Sequence, residues 1–242
     1  TQGSNTRFHD RIRGQNQLYA DNDWAEGTGR GSEEWDHMTG VKFVISSNYY
    51  CWMWKRAPNY MDVVTYTANG IAGLTVNHNL GVAPEMMVIK KRSSSGDWIV
   101  YHKDLNNGSP TSPNDYYISI NSTSSEGNDG AYLWNNTAPT STQFTLGILA
   151  NVNQNNKTYI AYLFASLDGI SKVGSYTGNG SSTGDTQTIN CGFSSGAKFV
   201  LIKRISGNGE WFVFDTERGL VSGADKYITL QSTAAEVSGG DY

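Results

Sequence analysis

"GDWIVYHKDL" at residues 96–105 and "GEWFVFDTERGL" at 209–220 are one phrase written twice, and "RFHDRIRG" at 7–14 is a shorter third version. In an extended chain successive side chains point to opposite faces. Trp98, Val100 and His102 therefore share a face, with Ile99 and Tyr101 on the other. Trp211, Val213 and Asp215 oppose Phe212 and Phe214 in the same way. The apolar members persist between copies while the polar ones change, which is the pattern of a core strand running into a polar turn. A Trp ring can also stack on a sugar, but burial is the commoner fate of aromatic side chains. Packing is the expected role of these two.

The match extends outward from the phrase. "YYCWMWKRAPNYMDVVTYTANG" from Tyr49 lies against "YIAYLFASLDGISKVGSYTGNG" from Tyr159, an offset of 110. Trp98 lies against Trp211 at an offset of 113, and Glu126 against Glu236 at 110 again. The insertions fall in stretches rich in Gly, Ser, Asn and Pro, where loops absorb changes of length. Near the N-terminus Asp10 aligns with Asp215 and Glu26 with Glu236, and "VKFVISS" at 41–47 stands where "TQFTLGILA" stands at 142–150. A repeat of this size matches a small sandwich domain and not a solenoid unit.

Residues 1–56 read as the C-terminal part of a first β-repeat, 57–167 as a complete one, and 168–242 as the N-terminal part of a further one. The expectation is a fragment of a longer protein, or broken units completed by neighbouring chains. In the complete unit, alternating segments bounded by turn residues predict strands near 61–67, 73–77, 85–92, 97–102, 116–121, 143–149 and 158–165. The last of these is apolar on both faces, as expected of a strand covered on both sides. The fold class is all-β: tandem antiparallel β-sandwich repeats of about 110 residues, jelly-roll-like in topology.

Composition narrows the function. The net charge of −4 supplies no basic field for nucleic acid. The short clusters "KKR" at 90–92 and "KR" at 203–204 read as solvated strand ends. No stretch approaches the roughly 20 apolar residues that span a bilayer, so membrane insertion is not expected. Cys51 and Cys191 are too few for a disulfide scaffold or a cysteine-based zinc site.

The chemically suggestive residues do not recur together. Asp215 and Glu217 stand two apart, the spacing of a carboxylate pair on one strand face, and paired carboxylates are what glycoside hydrolysis uses. The complete unit has His102 and Asp104 in those places, so the pair is not rebuilt. His9, His37, His78 and His102 lack ligand spacing. "GNGSSTG" at 178–184 lacks the Lys and helix of a phosphate loop and reads as a hairpin turn. Asn121, Asn135, Asn156 and Asn179 head N-x-S/T triplets, which a chain this rich in Asn, Ser and Thr supplies by chance. No catalytic, metal-binding or cofactor-binding residue is expected. The candidates for glycan contact are Trp24, Trp35 and Trp134, in loops that differ between units.

Taken together, "SKVGSYTGNG", "GAKFVLIKR", "GEWFVFDTERG", "YITLQSTAAE", "YLWNNTAPTSTQFTLG" and "KTYIAYLFA" resemble a repeated β-domain of tailed bacteriophages, especially those of marine bacteria. That domain often stands in tandem within long virion or tail-fibre-like proteins. The likeness covers nearly all of residues 40–242; the first 40 keep "FHDRIRG" and little else. It implies a non-enzymatic structural component at the virion surface, as a tail fibre, appendage or decoration. It also implies other virion proteins as partners, a homo-oligomer with a trimer as one arrangement, and contact with host-surface polysaccharide. The alternatives are a carbohydrate-binding adhesin module and a polysaccharide depolymerase.

Overall fold

A computed structural model of the chain describes residues 5–28, 40–42, 49–106, 113–180, 186–220 and 225–238. The first strands, β1 (Arg7–Phe8), β2 (Asn16–Tyr19) and β3 (Gly27–Thr28), form a small antiparallel sheet in that order. The middle segment contributes β4 (Met61–Thr67), β5 (Leu74–Asn77), β6 (Met86–Lys91), β7 (Ile99–His102), β8 (Tyr116–Ser119) and β9 (Gly127–Asn128). It continues with α1 (Ala131–Trp134), β10 (Gln143–Leu146), α2 (Ala150–Asn153) and β11 (Thr158–Phe164). The C-terminal segment adds β12 (Phe199–Lys203), β13 (Trp211–Asp215), β14 (Lys226–Thr229) and β15 (Val237–Ser238), hydrogen-bonded in that order.

The middle segment builds a six-stranded antiparallel sheet, β4-β11-β6-β7-β8-β9, and a separate pair, β10-β5. Its most completely buried strand is β11, between β4 and β6, where Tyr159, Ala161 and Leu163 bury on one face and Ile160 and Tyr162 on the other. The first face is closed by the β5–β10 pair and the two one-turn helices, which bring Val76, Phe144, Leu133, Trp134 and Val152. The opposite face is closed from outside the segment, by Leu18 and Ala20 on one side and Trp211, Val213 and Leu230 on the other. The molecule is therefore nearly all β, with the sandwich-like layering that its alternation implies.

First strand pairs with last, and second with second-to-last, as in a jelly roll. From β6 to β9, however, the chain continues as one meander, so the layers hold six and two strands. "ANGIAG" at 68–73 is the middle segment's counterpart of "GNGSSTG", and it is not a hairpin turn. It carries the chain from β4 in one sheet to β5 in the other, with Gly70 and Gly73 at positive φ. The hairpin expectation fails because β4 finds its partner in β11 and β5 in β10. Residues 181–185 of the C-terminal counterpart lie outside the described residues.

One three-strand pattern occurs in all three segments. β7-β8-β9 in the middle matches β1-β2-β3 and β13-β14-β15. The register matches as well: Val100 pairs with Ile118, Phe8 with Leu18, and Val213 with Ile228.

Candidate functional site

The opening phrase sits where two segments meet. Trp98 follows a Gly-acid pair and enters β7; its ring is fully buried, and its Nε1–H donates to the carbonyl of Tyr19, in β2, at 2.7 Å. A buried indole needs such a partner, and only its N–H can supply one. The backbone N–H of Trp98 donates to Asn121 Oδ1 at 3.0 Å, and its carbonyl accepts from Ile120 N at 3.1 Å. Trp211 repeats the set one segment later. It is 3 % exposed, and its Nε1–H donates to the Ser119 carbonyl, in β8, at 2.8 Å. Its N–H reaches Gln231 Oε1 at 2.8 Å, and its carbonyl accepts from Leu230 N at 3.1 Å. Tyr19 and Ser119 hold the same register position, opposite Arg7 and Ile99 respectively.

A lysine six residues before each Gly-acid-Trp completes the joint. The Lys90 ammonium is fully buried among the carbonyls of Asp23, Trp24, Lys91 and Gly96, at 2.8–3.1 Å. Lys203, half-buried, donates likewise to the carbonyls of Thr123, Arg204 and Gly209, also at 2.8–3.1 Å. Backbone bonds run alongside: Gly96 N to the Asp23 carbonyl and Gly209 N to the Thr123 carbonyl, each 2.8 Å. Burial pushes both ammonium groups down to about 8. The reading of "KKR" as a solvated strand end is thus corrected, since two of the acceptors, the Asp23 and Trp24 carbonyls, come from a neighbouring segment that local sequence does not reveal. The available signal was the lysine kept in both copies, in "VIKKR" and "LIKR".

A second cluster joins an acid, an arginine and an aromatic side chain. Arg13 donates from Nε to Asp10 Oδ2 at 2.5 Å and from Nη2 to the Tyr162 hydroxyl at 3.0 Å; that hydroxyl donates to Asp10 Oδ2 at 2.9 Å. Burial, with Asp10 beside it, drives the Tyr162 hydroxyl far above its ordinary range. In the C-terminal segment Arg218 Nε lies 2.9 Å from Asp215 Oδ2, and Trp52 Nε1 donates to that oxygen at 3.1 Å. The Arg218 guanidinium covers the rings of Tyr50 and Trp52 at 4.7 and 4.9 Å. In the middle segment His102 and buried Leu105 stand in the place of acid and arginine.

These contacts decide the carboxylate question. β13 ends at Asp215, which is 3 % exposed, and Glu217 lies in the exposed turn beyond it. The two do not share a strand face, and Asp215 is already engaged by Arg218 and Trp52. Among the described residues no three His, Cys, Asp or Glu side chains gather in a metal-binding group.

The three Trp candidates for sugar contact separate. Trp24 is 55 % exposed and meets Tyr19 edge-on at 5.7 Å. Trp134 is corrected: it is 1 % exposed, donates from Nε1 to the Tyr116 carbonyl at 2.9 Å, and packs on Tyr101. The one-turn helix α1 tucks it into the core, which leaves no face for a ligand. Trp35 and His37 lie outside the described residues. Asn121 and Asp97, beside Trp98, hydrogen-bond each other at 2.9 Å, so this triplet asparagine serves the joint.

His9 gives the site a pH signature. Burial, reinforced by the charges of Arg13 and Arg7, lowers its imidazole from 6.5 to about 4. The folded chain keeps it neutral where the unfolded chain charges it. The stability it contributes is full above pH 6.5 and is lost as pH falls toward 4. His9→Asn is expected to flatten part of that fall. Melting temperatures of both proteins between pH 7 and 4.5 check this, and parallel curves would count against it.

Residues 1–242 match the family model described as Domain of unknown function (DUF7483), and the chain belongs to that family. No curated protein and no solved structure matches it.

Proposed function

We propose that this family member is a non-catalytic structural element of a bacteriophage particle. In this reading segments 1–56, 57–167 and 168–242 are successive β-repeat units of about 110 residues. They mate through the Trp-and-Lys joint. The observation that supports an assembly role is the doubled joint: the side chains with the most chemical promise, Lys90, Lys203, Asp10 and Asp215, bond across segments to Trp24, Thr123, Tyr162 and Trp52 respectively. The phage assignment rests on the sequence resemblance. Repeated units would present several copies of one surface on the particle and multiply weak contacts to host polysaccharide into useful avidity. The partners are then other virion proteins and further copies of the chain, and the location is the virion surface.

Mass spectrometry of purified particles, with labelling of the chain on intact particles, tests this. The chain is expected in stoichiometric amount at a surface structure; its absence from purified particles would overturn the reading. One observation favours glycan contact as a second activity, the exposed Trp24 ring braced by Tyr19. Trp24→Ala should then lower binding to host polysaccharide at least tenfold with the fold intact, while unchanged binding would remove Trp24 as the contact.

A further inference from the structure

The apolar cluster on the outer face of the six-stranded sheet contains corresponding residues from all three segments. Phe8, Val100 and Val213 all belong to it, as do Leu18, Ile118 and Ile228, and Ala20, Ile120 and Leu230. Copies arranged about a common axis bring all three versions of a position into one cluster, and the Trp52 contact with Asp215 and Arg218 joins the first segment to the last. We propose that the three segments close into a ring about a pseudo-threefold axis, the contact of the N-terminal segment with the C-terminal one being the third joint. This goes beyond the functional reading above and holds whether or not the chain sits in a virion.

The contacts run in one direction around the ring. The C-terminal segment leans on the middle through Trp211 to the Ser119 carbonyl, and the middle leans on the N-terminal segment through Trp98 to the Tyr19 carbonyl. The middle segment's closing strand also reaches the N-terminal sheet through Tyr162, at Asp10 and Arg13. Aligning "YYCWMW" with "YIAYLF" puts Trp52 in the place of Tyr162. Trp52 bonds Asp215 and lies under Arg218, which are the counterparts of Asp10 and Arg13. The N-terminal segment therefore makes on the C-terminal sheet the contact that the middle segment makes on the N-terminal sheet. Trp52 and Trp54 also pack edge-on against Phe199, which pairs with Asp215, at 5.7 and 5.3 Å.

The third joint differs from the others in one part. Trp98 passes its backbone carbonyl to Ile120, and the residue that passes its carbonyl to Ala20 is Thr6, so a threonine stands where the other segments have the buried Trp. The indole that bridges from the N-terminal segment is that of Trp52. The aromatic–acid–arginine cluster carries this joint.

Double-mutant cycles on the whole 242-residue chain test the ring. Trp52→Phe with Asp215→Asn, and Tyr162→Phe with Asp10→Asn, each pair the donor of one bridge with its acceptor; the ring volume lost at Trp52 and the Arg13 bond lost at Tyr162 occur in the single variants too, and the cycle subtracts them. The ring predicts that each pair is coupled by about fivefold or more in the unfolding equilibrium constant, whereas Trp52→Phe with Asp10→Asn is additive. Sedimentation of the same samples gives the oligomeric state, and the coupling must not change with chain concentration. Additive behaviour of Trp52 with Asp215, or coupling present only in a dimer, would overturn the closed ring.

Discussion

Replacing Trp98 with alanine is expected to lower the unfolding free energy by about 3–5 kcal/mol, the range for removing a large aromatic side chain from a core. The ring is fully buried between Phe8, at 4.8 Å, and the apolar residues of three segments. Its loss also strips the Tyr19 carbonyl of its indole donor. Trp98→Phe separates the two effects: it keeps most of the packing and should cost about 1–3 kcal/mol for the carbonyl left short of a partner. Trp211→Ala should cost less than Trp98→Ala, because the strand beside it, β12, is only half-buried while β6 is buried over Met87–Lys91. Urea unfolding of the four proteins gives the values. A loss below about 1 kcal/mol for Trp98→Ala, the size of a surface change, would contradict the placement of the joint.

Lys90→Met should have the next largest effect. Methionine keeps much of the stem but offers no donor, so the carbonyls of Asp23, Trp24, Lys91 and Gly96 lose the ammonium they share. A loss on the order of 1–3 kcal/mol follows from leaving carbonyls at the joint short of a donor, although Asp23 keeps its bond from Gly96 N. Its pH dependence has a definite sign. With the folded value near 8 and the ordinary one at 10.5, the folded chain releases this proton before the unfolded chain does. Between those values the unfolded state holds more protons, so wild-type stability gains with pH relative to the variant. The gap between the two proteins should therefore be wider at pH 10 than at pH 7. A gap that narrows over this range would show that the charged form is the one the site prefers.

The sequence carried the strands of the middle segment and the buried role of both Trp residues, since alternation reports which face is covered. β4 and β11 lie within a residue of the segments predicted for them. It could not carry the source of the cover. Lys90 looks like a surface charge until residues 23–24 arrive from another segment. Trp134 looks like a loop residue because α1 is a single turn, too short to show a helical period. The split into six and two strands was hidden for a related reason: "ANGIAG" has the glycines of a turn, and only long-range pairing decides whether the chain folds back or crosses over. Asp215 and Glu217 suggested a catalytic pair by spacing alone, but the strand ends between them.

Hydrogen exchange at the tryptophan indoles tests most directly whether these residues serve a recurring joint. Each Nε1–H gives its own signal in a nitrogen-15 spectrum, assignable by single Trp→Phe replacements. The indoles of Trp98 and Trp211 should both be strongly protected, and Trp98→Phe should speed exchange at Trp211 through their shared core. Trp24, exposed, should exchange freely. Exchange at Trp211 as fast as at Trp24, with Trp98 still protected, would show that the second joint does not form and would contradict the account.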